Sequence, residues 1–317
     1  MWIVVGMLLV TLCCELLSNS KPIYMNVDGK SYFPIYQYVH PSELGLDKNQ
    51  LQIDYRKFEK EYQGDQLTTI WPPNKWDYRE SDLSFVDYPS PPDRTHILGT
   101  DDRGRDVLAR IIYGLRNCLL FALANWVIAY MIGILAGALQ GYYGGKVDFL
   151  FQRYIEVISA MPLLFLLIIL NSFLSPNIYW LVVIISLISW FGISRFIRAE
   201  FLKLRRLEFV EAANALGVGK IRLFLQHLFP NSLTPVLSLS AFFISQGILT
   251  LSALDYLGFG LPPPAASWGE LLNQAKKHVS HAWWLAVYPS AALVFTLVVF
   301  NFLGEGLRSA FDPKSNN

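Results

Sequence analysis

Residues 211–230 read EAANALGVGKIRLFLQHLFP, and this stretch decides how the whole chain is organised. Its alanine-rich start favours a helix. Gly217 stands where that helix must stop and the backbone must turn, in the left-handed conformation that glycine adopts without a steric penalty. A second helix then runs towards Pro230, whose fixed φ sets the entry of the next element. Arg195, Arg198, Lys203, Arg205 and Arg206 precede the stretch, and Lys220 and Arg222 lie inside it. Uncharged segments, 157–194 and 223–254, bound the basic region on either side. A basic helical hairpin between membrane spans belongs in the cytoplasm, because Lys and Arg concentrate in short cytoplasmic loops.

Working outward, the chain of 317 residues is 53% hydrophobic and only 16% charged, against about 25% charged in soluble domains. The charges are segregated. Residues 117–145, 157–194, 223–254 and 282–304 contain no Asp, Glu, Lys or Arg. A span needs roughly 20 apolar residues. The second stretch is about twice that length and is interrupted by Asn171, Ser172, Ser175 and Pro176, so it reads as two spans. Five spans follow, and residues 1–17 make a sixth. The expected fold is therefore an all-α membrane protein with six transmembrane helices and a small extracytoplasmic domain between helices 1 and 2. The expected layout is a first helix at 1–17, an outer domain at 18–116, a membrane core at 117–304 that includes the hairpin at 195–230, and a cytoplasmic tail at 305–317. The net charge of +1 says nothing about nucleic acid, and with no basic-aromatic patch to suggest it, nucleic acid is not an expected partner. Membrane lipid is the expected surrounding.

The outer domain carries thirteen Lys or Arg, balanced by fifteen Asp or Glu. Long domains translocate largely regardless of charge, so the count does not disturb the topology. Residues 23–27 and 31–35 flank Asp28-Gly29, a two-residue hairpin signal. The prolines at 72, 73, 89, 91 and 92 imply extended chain beyond it. Residues 96–114, HILGTDDRGRDVLARIIYG, place Val107, Leu108, Ile111 and Ile112 on one helical face, which suits an amphipathic helix lying at the outer interface before the second span. Pairs of Asp102 or Asp106 with Arg103 or Arg110 would be surface pairs of little energetic weight. Cys13, Cys14 and Cys118 lie in or beside apolar segments and read as small hydrophobes. The opening run is short for a span and lacks a basic leader, so we expect a start upstream of Met1.

In the second span Gly133, Gly137 and Gly141 form two consecutive GxxxG steps, which let helices approach closely. This suits packing within the chain or against a second chain better than contact with a ligand. The polar residues Asn125, Gln140, Gln246 and Asn301 suit helix–helix hydrogen bonds or a translocation path, the former being the commoner role. No ionisable residue lies mid-span, whereas proton-driven carriers usually place one there. Gly144-Gly145-Lys146 and Gly217-Val218-Gly219-Lys220 both lack the Ser or Thr that completes a P-loop. Neither stretch is a nucleotide site, and we expect no cofactor in this chain. His278 and His281, without a third ligand, are weak evidence for a metal. No catalytic triad has local support, and the chain is expected not to be an enzyme.

The spacing of Glu211, Ala212, Ala213, Gly217 and Pro230 resembles the EAA signature of ABC importer permeases. Residues 98–114 (LGTDDRGRDVLARIIYG), 137–148 (GALQGYYGGKVD) and 254–264 (LDYLGFGLPPP) resemble blocks of the dipeptide and oligopeptide permease family. The likeness is greatest to permeases of the Yej type, which import microcin C and oligopeptides. One departure is His227, which with Phe229 replaces an apolar pair near the proline; a packing or interfacial role suits it better than that of a ligand. The resemblance implies the type I ABC importer fold in a bacterial inner membrane. It implies a second permease subunit, ABC ATPase subunits that hydrolyse ATP, and an extracytoplasmic peptide-binding protein as partners. It assigns ATPase coupling to Glu211, Ala212, Ala213, Gly217 and Pro230. Dipeptide and nickel-type importers are alternatives within the class. An energy-independent channel or carrier, or a membrane scaffold, are alternatives outside it, and neither needs a docking site for a motor.

Overall fold

The computed structural model describes residues 2–47, 53–62, 64, 66–84, 87–173 and 177–311. Expectations for residues 174–176 in the outer turn and for 312–317 at the end of the tail, Lys314 among them, lie outside the described residues. The chain divides into two compact units, Met1–Asn117 with Pro263–Leu293, and Cys118–Pro262 with Val294–Asn317.

The first unit opens with helices α1 (Trp2–Leu12) and α2 (Cys14–Leu17). Strands β1 (Tyr24–Val27) and β2 (Lys30–Tyr32) form the hairpin expected around Asp28-Gly29. Both turn residues have positive φ, +49° and +82°, the requirement of a two-residue turn that matches strand twist. After a short 3₁₀ turn (Pro41–Leu44) and helix α3 (Tyr55–Glu61), strand β3 (Leu67–Ile70) pairs antiparallel with β1, giving the order β2-β1-β3. Asp54 caps α3 by accepting from the amides of Arg56 and Lys57, as N-cap carboxylates do. Met25, Val27, Val39, Leu44, Tyr55 and Phe58 form the small core between sheet and helix.

Helix α4 (Val107–Tyr143) is continuous over 37 residues. The amphipathic segment expected before the second span is thus the first turns of the span itself. Its partners are not at the surface either. Asp101, Arg105 and Arg110 are at most 2% exposed. Arg105 donates to both Asp101 (2.6 Å) and Glu270 (3.0 Å). Arg110 pairs with Glu270 and donates to the carbonyls of Ala265 (2.9 Å) and Tyr78 (3.1 Å). Asp106 accepts from Asn74 (2.8 Å) and bonds His96 (2.9 Å). The surface-pair expectation holds for Asp102 and Arg103, 3.9 Å apart and partly exposed, and is corrected for Asp106 and Arg110, which are buried and pair with His96 and Glu270 instead. Glu270 sits on α12 (Trp268–Lys277), far along the chain, so the spacing near residue 100 could not reveal it.

The second unit holds the rest of α4, then α5 (Gly145–Ser159), α6 (Leu163–Phe173), α7 (Ile178–Leu204), α8 (Glu208–Ala215), α9 (Lys220–Leu223), a π-helical turn (Phe224–Leu228), α10 (Phe229–Leu237) and α11 (Ser240–Tyr256). Helix α13 (Trp284–Phe311) ends the described chain. Among the described residues three helices are long and apolar enough to cross a membrane: α4, α7 and Trp284–Ala310 within α13. The number rises to five if each of two bent helix pairs counts as one span. Gly145–Ser159 and Leu163–Leu170 meet at 75°. Pro162 lies in the break; proline lacks an amide donor and pushes the preceding residue out of the helical region. Phe224–Leu237 and Ser240–Tyr256 meet at 53°, shortly after Pro235, which leaves a carbonyl one turn back without its helical donor. α1 is apolar but only 11 residues long.

Two tests follow. Glu270→Leu leaves the guanidiniums of Arg105 and Arg110 buried without their second carboxylate. Removing one partner of a buried pair typically costs about 3–5 kcal/mol, and thermal unfolding of the purified chain in detergent should show that loss. His96 is buried against Trp76, with ring centroids 4.3 Å apart. Burial pulls its pKa down, but the hydrogen bonds and charges of Asp106 and Asp82 outweigh this and raise it. A raised imidazole pKa stabilises the fold fully below the ordinary value of about 6.5. That contribution is lost as pH rises through the raised value. The wild type should therefore lose thermal stability over that interval relative to His96→Asn.

Candidate functional site

The hairpin begins where α7 ends. Arg205 terminates α7 with helical dihedrals and donates its Nη1 to the carbonyl of Gly141 at 3.3 Å. Helix α8 then places Glu211, Ala212 and Ala213 in its middle turns. It ends at Gly217, where φ is +74°. The amide of Val218 bonds the carbonyl of Ala213 at 3.0 Å. This is the six-to-one bond of a Schellman ending, with its hydrophobic contact supplied by the same two residues, since Ala213 and Val218 both pack on one core. Sequence placed the glycine correctly because the left-handed turn has few other occupants.

The hairpin has two faces. Val210, Leu223 and Leu228 are at most 4% exposed and join Ile197, Phe201 and Leu204 of α7 and Tyr130 and Ala138 of α4. Burying such side chains stabilises by about 1.5–3 kcal/mol each. Phe224 is the hub. Its ring lies 5.1 Å from Tyr142, 5.4 Å from Phe201 and 6.0 Å from Phe229. On the other face Glu211, Ala212, Gly217 and Pro230 are exposed. Phe209 (43%), Leu225 (56%) and Leu216 (84%) are exposed too. Glu211 makes no bond to Arg205 or Arg206 among the described residues, so its carboxylate faces outward. The side chain of His227 lies outside the described ones. Phe224–Leu228 is wound as a π turn, with the amide of Phe229 bonding the carbonyl of Phe224. Such turns interrupt α-helices locally, frequently at functional sites.

The glycine steps meet α7. A Cβ added to Gly133 would lie 2.6 Å from the Cβ of Ile193, and one on Gly141 would lie 2.4 Å from that of Phe201. At Gly137 it would lie 2.4 Å from the carbonyl of Ser194. Between these steps Gln140, wholly buried, donates to Ser194 Oγ (2.7 Å) and the Ala136 carbonyl (3.0 Å) and accepts from Gln152 (2.7 Å). Arg198 of α7 clamps Asp148 of α5 with both nitrogens, Nη2–Oδ2 at 2.6 Å. This charge-assisted fork ties α5 to the helix that carries the hairpin. Phe224 and Asp148 were missed by sequence reasoning, which read Arg198 only as one of the basic residues around the hairpin. Asp148 was the one carboxylate in GALQGYYGGKVD and could have prompted a search for a cation.

Asn125, Gln246, Ser189 and Thr250 come together around a cavity of about 270 Å³. Asn301 is exposed and is not among its lining. Among the described residues no group of three or more His, Cys, Asp or Glu is placed to hold a metal.

The family described as "Binding-protein-dependent transport system inner membrane component" matches residues 129–317. The chain is 41% identical to the inner membrane ABC transporter permease protein YejE of Escherichia coli (strain K12), covering 99% of this chain and 92% of that protein. It is 35% identical to the peptidoglycan transport system permease protein YejE of Agrobacterium fabrum, covering 99% and 88%. It is 38% identical to the oligopeptide transport system permease protein OppC of Haemophilus influenzae, covering 75% and 76%.

The glycine contacts give a direct test. Gly137→Val puts a branched side chain onto a backbone carbonyl that cannot move without shifting α7. Overpacking of this kind costs about 1–3 kcal/mol. The variant should unfold at lower temperature in detergent, whereas Gly192→Ala, where an added Cβ meets nothing within 4 Å, should not.

Proposed function

The chain belongs to the family of binding-protein-dependent transport system inner membrane components, multi-pass ABC permeases of the inner membrane, and from that premise we propose that it is the translocating subunit of an ATP-driven peptide importer. The observation that carries the coupling role is the two-faced hairpin. One face is rooted through Phe224 in the same core as α4 and α7, and the other presents Glu211, Leu216 and Leu225 uncovered. A rooted element with an open, partly apolar face passes movement from a partner into the spans. The coupling residues are Glu211, Ala212, Ala213, Gly217 and Pro230, and the partner is an ABC ATPase that binds and hydrolyses ATP.

The spans number six, with α1 the first and each bent pair one span. Residues 18–116 form the extracytoplasmic domain, which with residues 255–281 meets a loaded peptide-binding protein. The hairpin at 195–230 and the tail at 305–317 face the cytoplasm. A second permease subunit completes the translocation path, packing as a heterodimer with this one. The substrates are oligopeptides and peptide antibiotics such as microcin C. The names of the relatives, which specify oligopeptide and peptidoglycan transport, support a peptide class of cargo.

Gly217→Val places a β-branched residue at positive φ, a conformation that such residues essentially do not adopt. The turn should distort while the spans still insert. ATP-dependent peptide uptake by the reconstituted complex should fall more than tenfold, and the ATPase should co-purify with the variant in reduced amount. Full uptake and undiminished ATPase recovery would defeat the coupling assignment.

A further inference from the structure

Within the second unit, residues of four helices converge on the cavity of about 270 Å³. Its polar lining comes from Asn125 of α4, Ser189 of α7, and Gln246 and Thr250 of α11; Leu163 and Phe243 supply apolar wall. Gly247 lets α11 approach α4 here, since an added Cβ would lie 3.1 Å from that of Ala122. All four polar groups sit within the charge-free stretches 117–145, 157–194 and 223–254. The lining has no ionisable side chain.

Asn125 is the informative member. It is 2% exposed, and its Oδ1 accepts from Ser186 Oγ at 3.0 Å. Its Nδ2, a double donor, has no partner among the described residues, although the side chain lines the cavity. The Ser189 hydroxyl and the Gln246 side-chain amide are likewise unpartnered among the described residues. Thr250 donates to the carbonyl of Gln246 at 2.8 Å and keeps its lone pairs to accept. Gln140 shows what a purely structural amide does in this unit: both of its ends are bonded. Of these groups only Asn125 is buried in this chain; a buried polar group that is left unmade is destabilising, so its amide is held for a partner that comes and goes, and Gln246, Ser189 and Thr250 stand beside it on the cavity wall. Side-chain amides offer donors and acceptors in the arrangement that a peptide group itself presents.

Resting on the peptide-importer reading, we propose that this cavity is a transit site for the peptide backbone: Asn125 and Gln246, with Ser189 and Thr250, hydrogen-bond the amide groups of the passing substrate. A neutral lining recognises what all peptides share and ignores the charge of their side chains. The volume lies just under the usual range of ligand pockets, about 300–1,000 Å³. It therefore holds a short piece of chain at a time and favours passage over tight retention.

The test uses the whole complex in proteoliposomes, with two probes, trialanine and its backbone N-methylated analogue, and two variants, Asn125→Leu and Gln246→Leu. Losing one such hydrogen bond should slow trialanine uptake about tenfold. The methylated peptide should be slow in the wild type and slowed no further by either variant. Gln246 is exposed on this chain, so its variant keeps the test decisive if Asn125→Leu folds poorly. Undiminished trialanine uptake by Gln246→Leu would overturn the site. So would an equal loss for both peptides, which marks a structural role. A wild-type complex that moves neither probe with ATP would instead remove the importer reading on which the site rests.

Discussion

The contact between α4 and α7 is the constraint on which the second unit depends. Three glycines, one per turn of α4, let the two backbones meet, and no side chain could be added at any of them without displacing α7. Lipid offers no hydrophobic advantage to helices that leave it, so close van der Waals approach has to supply the association. Once the helices meet, the rest is positioned. Gln140 reaches Ser194, Tyr142 reaches Phe224, and the end of α7 delivers the hairpin against a core that already exists.

Polar groups in this unit fall into two kinds. Gln140 is fully bonded and locks α4 to its neighbours, and Arg198 and Asp148 form a closed fork. Asn125 and Gln246 keep donors in hand. The difference lies in geometry, since Gln140, Asn125 and Gln246 all sit in charge-free stretches of their helices. In a medium without water, a bonded amide specifies packing and an unbonded one specifies an encounter. The two bent spans belong to the same logic. Proline breaks the regular ladder, and the tilted segments that result hold Leu163 and Phe243 at the cavity wall.

The hairpin was legible in the sequence because its marks are local: an alanine-rich helix, a glycine with one steric role, and basic residues between uncharged stretches. The glycine steps were legible for the same reason, although their partner was not, because Ile193, Ser194 and Phe201 look like any apolar helix. The β1–β2 turn was read from two residues. The third strand was not, since Leu67–Ile70 carries no turn signal linking it to β1. The bends at Pro162 and Pro235 were written in plain residues but hidden inside segments judged by hydropathy alone. Asp106 and Arg110 were misread as surface residues. Asp101, Arg105 and Arg110 look solvated in sequence, and only Glu270, 160 residues beyond Arg110, makes them a buried set.

That separation has a consequence for how the protein comes into being. Arg105 and Arg110 are synthesised and placed long before the carboxylate that completes their shell exists. At translation rates of about 5–20 residues per second, the interval between Arg110 and Glu270 is roughly 10–30 s. For that time the first unit is an unfinished fold, its guanidiniums hydrated and its α12 shelf missing, while the intervening helices are being threaded into the bilayer. Closure of the cluster is thus a late assembly step. A chain that stalls before residue 270 would leave Arg105 and Arg110 without the carboxylate that completes their pairing.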